Sequence, residues 1–255
     1  MEMPRNEFKH RLTRPGAQAG CWLSLGSPSA AEICAGAGFD WVLIDTEHSP
    51  NDIGAVHHQL HAVAGYPVSA LVRPPWNDTV VIKRLLDLGV QTLLIPFVQT
   101  VEEAKAAVAA VRYPPRGVRG VSTNSRANRF GRVKDYFGQV DAEMCLLVQV
   151  ESRSALAQVE ANASVDGVDG VFIGPQDLAA DFGHHGNPGH PDVRAAITDA
   201  IARIAKTGKA PGILSFAEDD AKHWIAQGAR FVAVTSDQFL LARDSSQVAA
   251  QFRKA

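Results

Sequence analysis

The sequence predicts an α/β protein built as a closed (β/α)8 TIM barrel. Three observations carry that prediction. Eight short runs rich in Val, Ile and Leu alternate with stretches of helical length. The runs show little polar alternation, as expected of parallel strands covered on both faces. A chain of 255 residues is the size of one such barrel. An open doubly wound sheet would place a GxGxxG fingerprint after its first strand, and the sequence has none there.

The first strand is read over Cys21–Leu25, with a helix over Ser29–Ala37 that ends at Gly38, where a C-cap glycine is expected. Trp41–Ile44 pairs with a helix over Pro50–Ala64, and Val68–Val72 with one over Asp78–Leu88 that Asp78 caps. Thr92–Phe97 and Val101–Arg112 form the fourth unit. The pattern then breaks over Tyr113–Gln139, which carries YPPRGVRG and the arginines Arg116, Arg119, Arg126, Arg129 and Arg132. This segment reads as a long loop near the site mouth, or as a solvated surface excursion. Cys145–Val150 with Arg153–Ala163, Gly170–Ile173 with Pro191–Lys206, Pro211–Leu214 with Ala217–Gln227, and Phe231–Val234 complete the eight. Gln238–Ala255 is a final helix that packs on the barrel or reaches a neighbouring subunit. Residues 1–255 are thus read as one barrel domain.

Composition narrows the function. A formal net charge of −2 argues against a broad footprint for nucleic acid or an anionic membrane. No stretch is long and apolar enough to cross a bilayer, and the start MEMPRNEFKHRL has no apolar signal core. Cys21, Cys34 and Cys145 are isolated and read as reduced, buried thiols, which makes the cytoplasm the expected compartment.

Polar residues gather at the C-terminal ends of the strands, the edge where such barrels do chemistry. Glu151 and Asp177 each stand at or just past a strand end, and two carboxylates facing one crevice suit a hard divalent cation such as Mg2+, Mn2+ or Co2+. A structural pairing with an arginine is the alternative. His48 closes the run Asp45-Thr46-Glu47-His48, where Asp45 is placed to fix its tautomer and support it as a base. Arg73 offers a permanent charge for an oxyanion or a carboxylate, or a salt bridge to Asp45 or Glu47. Gly174, Pro175, Gln176 and Asp177 open a helix whose free N–H groups can bind a carboxylate. Asp87 sits late in a helix, against the dipole, which hints at a specific partner. His57 and His61 read as surface residues, and FGHHGNPGHP, with His184, His185 and His190, as a glycine-rich loop for which metal binding is the minor alternative. A Schiff-base route needs a lysine inside the barrel, and none of the eight runs contains one.

The blocks WVLIDTEHSPND, VRPPWND, IKRLLDLGVQTLLIPFVQT, YPPRGVRGV, LVQVE, VDGVFIGPQDL, GNPGHP and GKAPGIL resemble the metal-dependent class II pyruvate aldolases. The likeness is to the 4-hydroxy-2-oxoheptane-1,7-dioate, 2-keto-3-deoxy-L-rhamnonate and 2-dehydro-3-deoxygalactarate aldolases, from about Gly20 to Val234. It implies a homohexamer, a trimer of dimers, that reversibly cleaves a 4-hydroxy-2-oxo acid to pyruvate and an aldehyde in aromatic or sugar acid catabolism. It further implies a divalent metal and no organic cofactor, with Glu151 and Asp177 as ligands and His48 as base. Arg73 would stabilise the enolate, Asp45 would support His48, and Asp87 would raise its basicity from an adjacent subunit. Gln149 and the backbone at Gln176 and Asp177 would contact pyruvate, with Trp22 and Leu214 lining the pocket. Gln176, where alanine is frequent, and Thr235 and Ser236 depart from the pattern and bear on substrate choice. A citrate-lyase-like acyl-CoA lyase and a non-catalytic metabolite-binding barrel are the competing readings.

Overall fold

The computed structural model describes residues 1–253, so Lys254 and Ala255, the end of the expected final helix, lie outside the described residues. Its elements in chain order are α1 (Glu7–Leu12), β1 (Gln18–Leu23), α2 (Pro28–Gly36), β2 (Trp41–Asp45), α3 (Ile53–Val63), β3 (Ser69–Arg73), α4 (Thr79–Asp87), β4 (Thr92–Ile95) and α5 (Val101–Val111). They continue with α6 (Tyr136–Glu143), β5 (Cys145–Val150), α7 (Arg153–Ala157), α8 (Val159–Ala163), β6 (Gly170–Ile173), α9 (Pro175–Asp181), α10 (Pro191–Lys206), β7 (Ala210–Leu214), α11 (Glu218–Ala226), β8 (Phe231–Ser236) and α12 (Asp237–Phe252). The eight strands pair in parallel and in sequence order, and β8 closes on β1.

The expected strands are all present, β5 and β6 with the expected ends and the other six with shifted ones. β1 begins three residues before the expected Cys21 start, and β4 stops at Ile95, short of Phe97, whose φ of 53° takes the chain out of extended geometry. The expected helix over Arg153–Ala163 is two short helices hinged at Gln158, and α6 forms where part of the arginine-rich loop was expected. α1 has no counterpart in the sequence reading. Asn6 caps it by accepting from the Lys9 N–H, and its Phe8 is fully buried among the inward-facing side chains.

Two apolar layers follow from strand alternation. Outward residues such as Val42, Ile44, Val148 and Val171 pack beneath the helices. Inward residues Trp22, Trp41, Leu43, Leu71, Leu94, Leu147, Phe172 and Phe231 fill the barrel. Trp41, Phe231 and Phe8 meet edge to face, with ring centroids 5.7–6.4 Å apart. Glycine makes room for these rings. A Cβ on Gly20 would lie 2.1 Å from the Trp41 ring, and one on Gly212 would lie 2.3 Å from Phe231.

α12 is capped by Ser236 and leaves the barrel early. Asp237 is buried, whereas Leu241, Val248 and Phe252 are exposed. No helix among the described residues is long and apolar enough to cross a membrane.

Because both walls of the glycine niches are immobile, Gly212→Ala is expected to destabilise the fold by about 1–3 kcal/mol through overpacking. Urea unfolding checks this, and a midpoint equal to that of the parent would contradict it.

Candidate active site

The β2 and β3 exits are locked to each other before any functional group is placed. Thr46 donates from both its backbone N–H and its hydroxyl to the Arg73 carbonyl, at 3.0 and 2.6 Å. The Asp45 carbonyl accepts from the Asn51 side-chain amide at 2.6 Å and from the Ser49 hydroxyl. Gln59, buried on α3, in turn donates to the Asn51 side chain at 2.7 Å. The backbone beneath the candidate site is therefore held by buried polar bonds, which are stronger away from water.

Arg73 is the hub. Its Nε and Nη2 donate to the two oxygens of Asp45 at 2.8 and 2.9 Å, in the fork geometry that suits guanidinium and carboxylate. Its Nη1 lies 2.8 Å from Glu47, close enough for an ion pair but out of line for a hydrogen bond. The guanidinium carbon stands 5.0 Å over the Trp22 ring. Burial works to raise the Asp45 pKa, yet the bonds and charge of Arg73 outweigh it and hold the carboxyl below its usual range. Asp45 reaches His48 through the His48 backbone N–H at 3.3 Å, while the exposed His48 ring has Glu47 as its nearest acid, 3.9 Å from Nε2.

Across the mouth, Glu151 is buried at 4% exposure and almost fully bonded. One oxygen accepts from the Phe97 N–H at 2.9 Å, the other from the Gln149 amide at 2.5 Å. Gly174 supplies the space, because a Cβ there would come within 2.8 Å of the Glu151 side chain and 3.2 Å of Gln149. Asp177 follows in the first turn of α9, exposed, with Pro175 at the helix start and Gln176 exposed beside it. Burial first, then the charges of Asp177 and Glu47, push the Glu151 pKa up to about 7. Glu47 is raised as well, by burial first, with Asp177 among the charges acting on it.

These acids fit a divalent cation. The charges of Glu47, Glu151 and Asp177 act on one another, Glu47 and Glu151 are pushed toward the neutral form, and the side-chain oxygen of Gln149 is buried with no partner. All are hard oxygen donors. Trp22 is buried, and Leu214 is partly buried against the inward cluster below.

Asp87 is not brought to this group. It ends α4 at the opposite rim, where its Oδ1 lies 3.4 Å from Arg119. Thr235 is buried with its hydroxyl unpartnered, and the Ser236 hydroxyl caps α12. Two contributors escaped the sequence reading. Glu47 was weighed only as a partner of Arg73, although it lies in the same DTEH run. The Phe97 N–H had no local signal, since a phenylalanine does not announce a positive φ.

A surface cavity of about 650 Å3 lies elsewhere, at the N-terminal rim, lined by Lys9, Asp169, Lys209 and Arg230 among others. The site is therefore argued from converging chemistry and not from concavity.

The sequence pattern of the HpcH/HpaI aldolase/citrate lyase family matches residues 18–243. The chain is 59% identical over 252 residues to a pyruvate aldolase of Rhizobium etli, covering 99% of both proteins. It is 56% identical to a 4-hydroxy-2-oxo-heptane-1,7-dioate aldolase of Klebsiella pneumoniae, covering 97% of this chain and 94% of that one. The fold superposes with a TM-score of 0.94, at 40% identity, on the crystal structure of a protein of the same family from Burkholderia cenocepacia, covering 97% and 99% of the two chains.

Two outcomes follow from the site's electrostatics. Glu151 binds its proton more tightly folded, with a pKa near 7, than unfolded, near 4.3. The metal-free protein should therefore lose stability, on the order of 1–3 kcal/mol, as pH rises from about 4.5 to 7. Glu151→Gln should flatten that slope in thermal melts; an unchanged slope would refute the assignment. Arg73→Leu leaves Asp45 buried and unpaired, and should cost about 3–5 kcal/mol in urea unfolding. Asp45→Asn in the same chain should recover part of that loss.

Proposed function

The chain belongs to the HpcH/HpaI aldolase/citrate lyase family and is a carbon–carbon lyase, an aldolase that yields pyruvate; we propose that Glu151, Asp177, His48 and Arg73 carry its reaction. The observation that carries this reading is the convergence of Glu47, Glu151 and Asp177 opposite the Arg73–Asp45 pair at one barrel mouth. The substrate is a 4-hydroxy-2-oxo acid and the second product an aldehyde.

Glu151 and Asp177 would hold the divalent ion, Mg2+, Mn2+ or Co2+, and leave positions for substrate oxygens. When bound, the ion supplies Lewis acidity toward the 2-oxo group and the enolate that forms from it. His48, exposed at the mouth, takes the proton of the C4 hydroxyl as the C3–C4 bond breaks. Asp45 sets the position of His48 by holding its backbone. A guanidinium has five N–H donors, and Arg73 commits two of them to Asp45, so others are free for the developing enolate oxygen.

Gln149 and the backbone N–H groups of Gln176 and Asp177, with Gly174 and Pro175 shaping the turn, are assigned to the pyruvate end. Trp22 and Leu214 line its apolar side. Gln176 and Thr235 place polar groups where they bear on the choice of aldehyde.

Asp87 lies too far away, at the other rim, to serve His48 of its own chain. We assign it to His48 of a second copy, within the homohexamer (a trimer of dimers) that the sequence resemblance implies. The exposed Leu241, Val248 and Phe252 of α12 supply an apolar face for docking against a neighbour in such an assembly.

The test is a retro-aldol assay on a panel of 4-hydroxy-2-oxo acids, following pyruvate, with and without chelator and with each of the three metals. Removal of metal should abolish turnover and Mg2+, Mn2+ or Co2+ should restore it. Glu151→Gln and Asp177→Asn should each remove metal-dependent activity, and His48→Ala should lower kcat by about 10²–10⁴-fold. Full activity of His48→Ala on every substrate would remove it from the mechanism.

A further inference from the structure

We propose that the loop between α9 and α10 is a second metal site, for a borderline transition ion bound by His184, His190 and Asp192. One donor atom from each of these residues lies within 4.8 Å of the other two. Their hard-oxygen counterpart in the barrel mouth shares no residue with them. His184 Nε2 and His190 Nδ1 stand 3.9 and 3.7 Å from the same oxygen of Asp192. Ligands around a tetrahedral ion at 2.0–2.2 Å lie about 3.3–3.6 Å apart, so each histidine nitrogen needs to close on Asp192 by only a few tenths of an ångström.

The loop backbone holds the two histidines in place, and the His190 ring also takes part as the cap of α10. The His184 N–H donates to the Ala179 carbonyl at 2.8 Å, the Asn187 N–H to the His184 carbonyl at 2.9 Å, and the His190 N–H to the Asn187 carbonyl at 3.1 Å. Gly183 and Gly186, at φ of 83° and 71°, permit the two tight reversals this needs. His190 Nδ1 accepts from the Asp192 N–H at 3.3 Å as the cap of α10, so binding an ion there exchanges that hydrogen bond for the metal. Among the described residues Asp192 pairs with no lysine or arginine, only with the two histidines.

The two rings stack with centroids 3.4 Å apart and 14° between planes. Imidazole lone pairs lie in the ring plane, so coordination by both requires the rings to splay about their side-chain torsions. Both side chains are about one-third exposed, which leaves room for that rotation. Two imidazoles and one carboxylate favour Zn2+, Ni2+, Cu2+ or Co2+ over Mg2+. Occupancy would tie α10 to the loop that follows Asp177.

Calorimetric titration with Zn2+ tests the site, using the full chain. The Glu151→Gln/Asp177→Asn variant isolates it, and should still bind one Zn2+ per chain while giving no response to Mg2+. Adding His184→Ala and His190→Ala should weaken Zn2+ binding at least tenfold, and Asp192→Asn should weaken it less. Circular dichroism checks the fold; if the alanine pair unfolds, His184→Gln and His190→Asn carry the same expectation, since asparagine can also cap α10. The inference is overturned if the isolating variant binds no Zn2+. It is equally overturned if binding survives loss of both histidines, or disappears instead with His57→Ala/His61→Ala, the other close pair with centroids 4.3 Å apart.

Discussion

Arg73 is the constraint on which the barrel mouth depends. A guanidinium with 6% exposure is expensive to bury alone, and so are the carboxylates of Asp45 and Glu47 beside it. Arg73 and Asp45 satisfy one another through the fork from Nε and Nη2, and Nη1 stands against Glu47, whose facing oxygen keeps no hydrogen bond. The arrangement fixes three things at once. It ties the ends of β2 and β3, it holds Asp45 ionised beneath the His48 backbone, and it sets one positive charge opposite the Glu151 and Asp177 acids. The Trp22 face adds a further hold on the same cation.

On the other side of the mouth the balance is reversed. Glu151 has no cation in bonding distance among the described residues, only the Phe97 N–H and the Gln149 amide. Two donors are too few to offset burial plus the charges of Asp177 and Glu47, and the carboxyl is pushed to about 7. The Arg73–Asp45 pair is electrostatically complete and the group of Glu47, Glu151 and Asp177 is not. An incomplete cluster of hard oxygens attracts positive charge, which supports the proposal that Glu151 and Asp177, and not Asp45, hold the metal.

Much of this was legible in the sequence because parallel strands leave a strong mark. Buried on both faces, they read as continuous apolar runs, and a polar residue at the end of such a run stands out. That signal found Asp45, Arg73, Gln149, Glu151 and Asp177. It failed where the cause is not local. Phe8 plugs the barrel from a six-residue helix too short to show a period. Gly20 and Gly212 accommodate rings from other strands, so nothing near them in sequence explains them. The Phe97 N–H is aimed by a backbone conformation that its side chain does not encode. The His184–His190 stack joins residues across a loop whose glycines announce a turn but not which side chains it brings together.

Asp87 shows how sequence and structure can each hold half of one argument. Its place late in α4 opposes the helix dipole, and in the structure Arg119 lies beside it, fully buried, stacked 4.4 Å from Tyr113 and with two of its nitrogens unpartnered. Arg119 therefore offsets the dipole, and helix stability alone accounts for an acid being tolerated there. It does not account for the carboxylate remaining 30% exposed while its buried partner is left short of acceptors. A purely structural pair would close to two short bonds, and this one makes a single bond at 3.4 Å. The half-open pairing leaves the Asp87 side chain partly exposed at the N-terminal rim, which supports the proposal that it serves His48 of another copy.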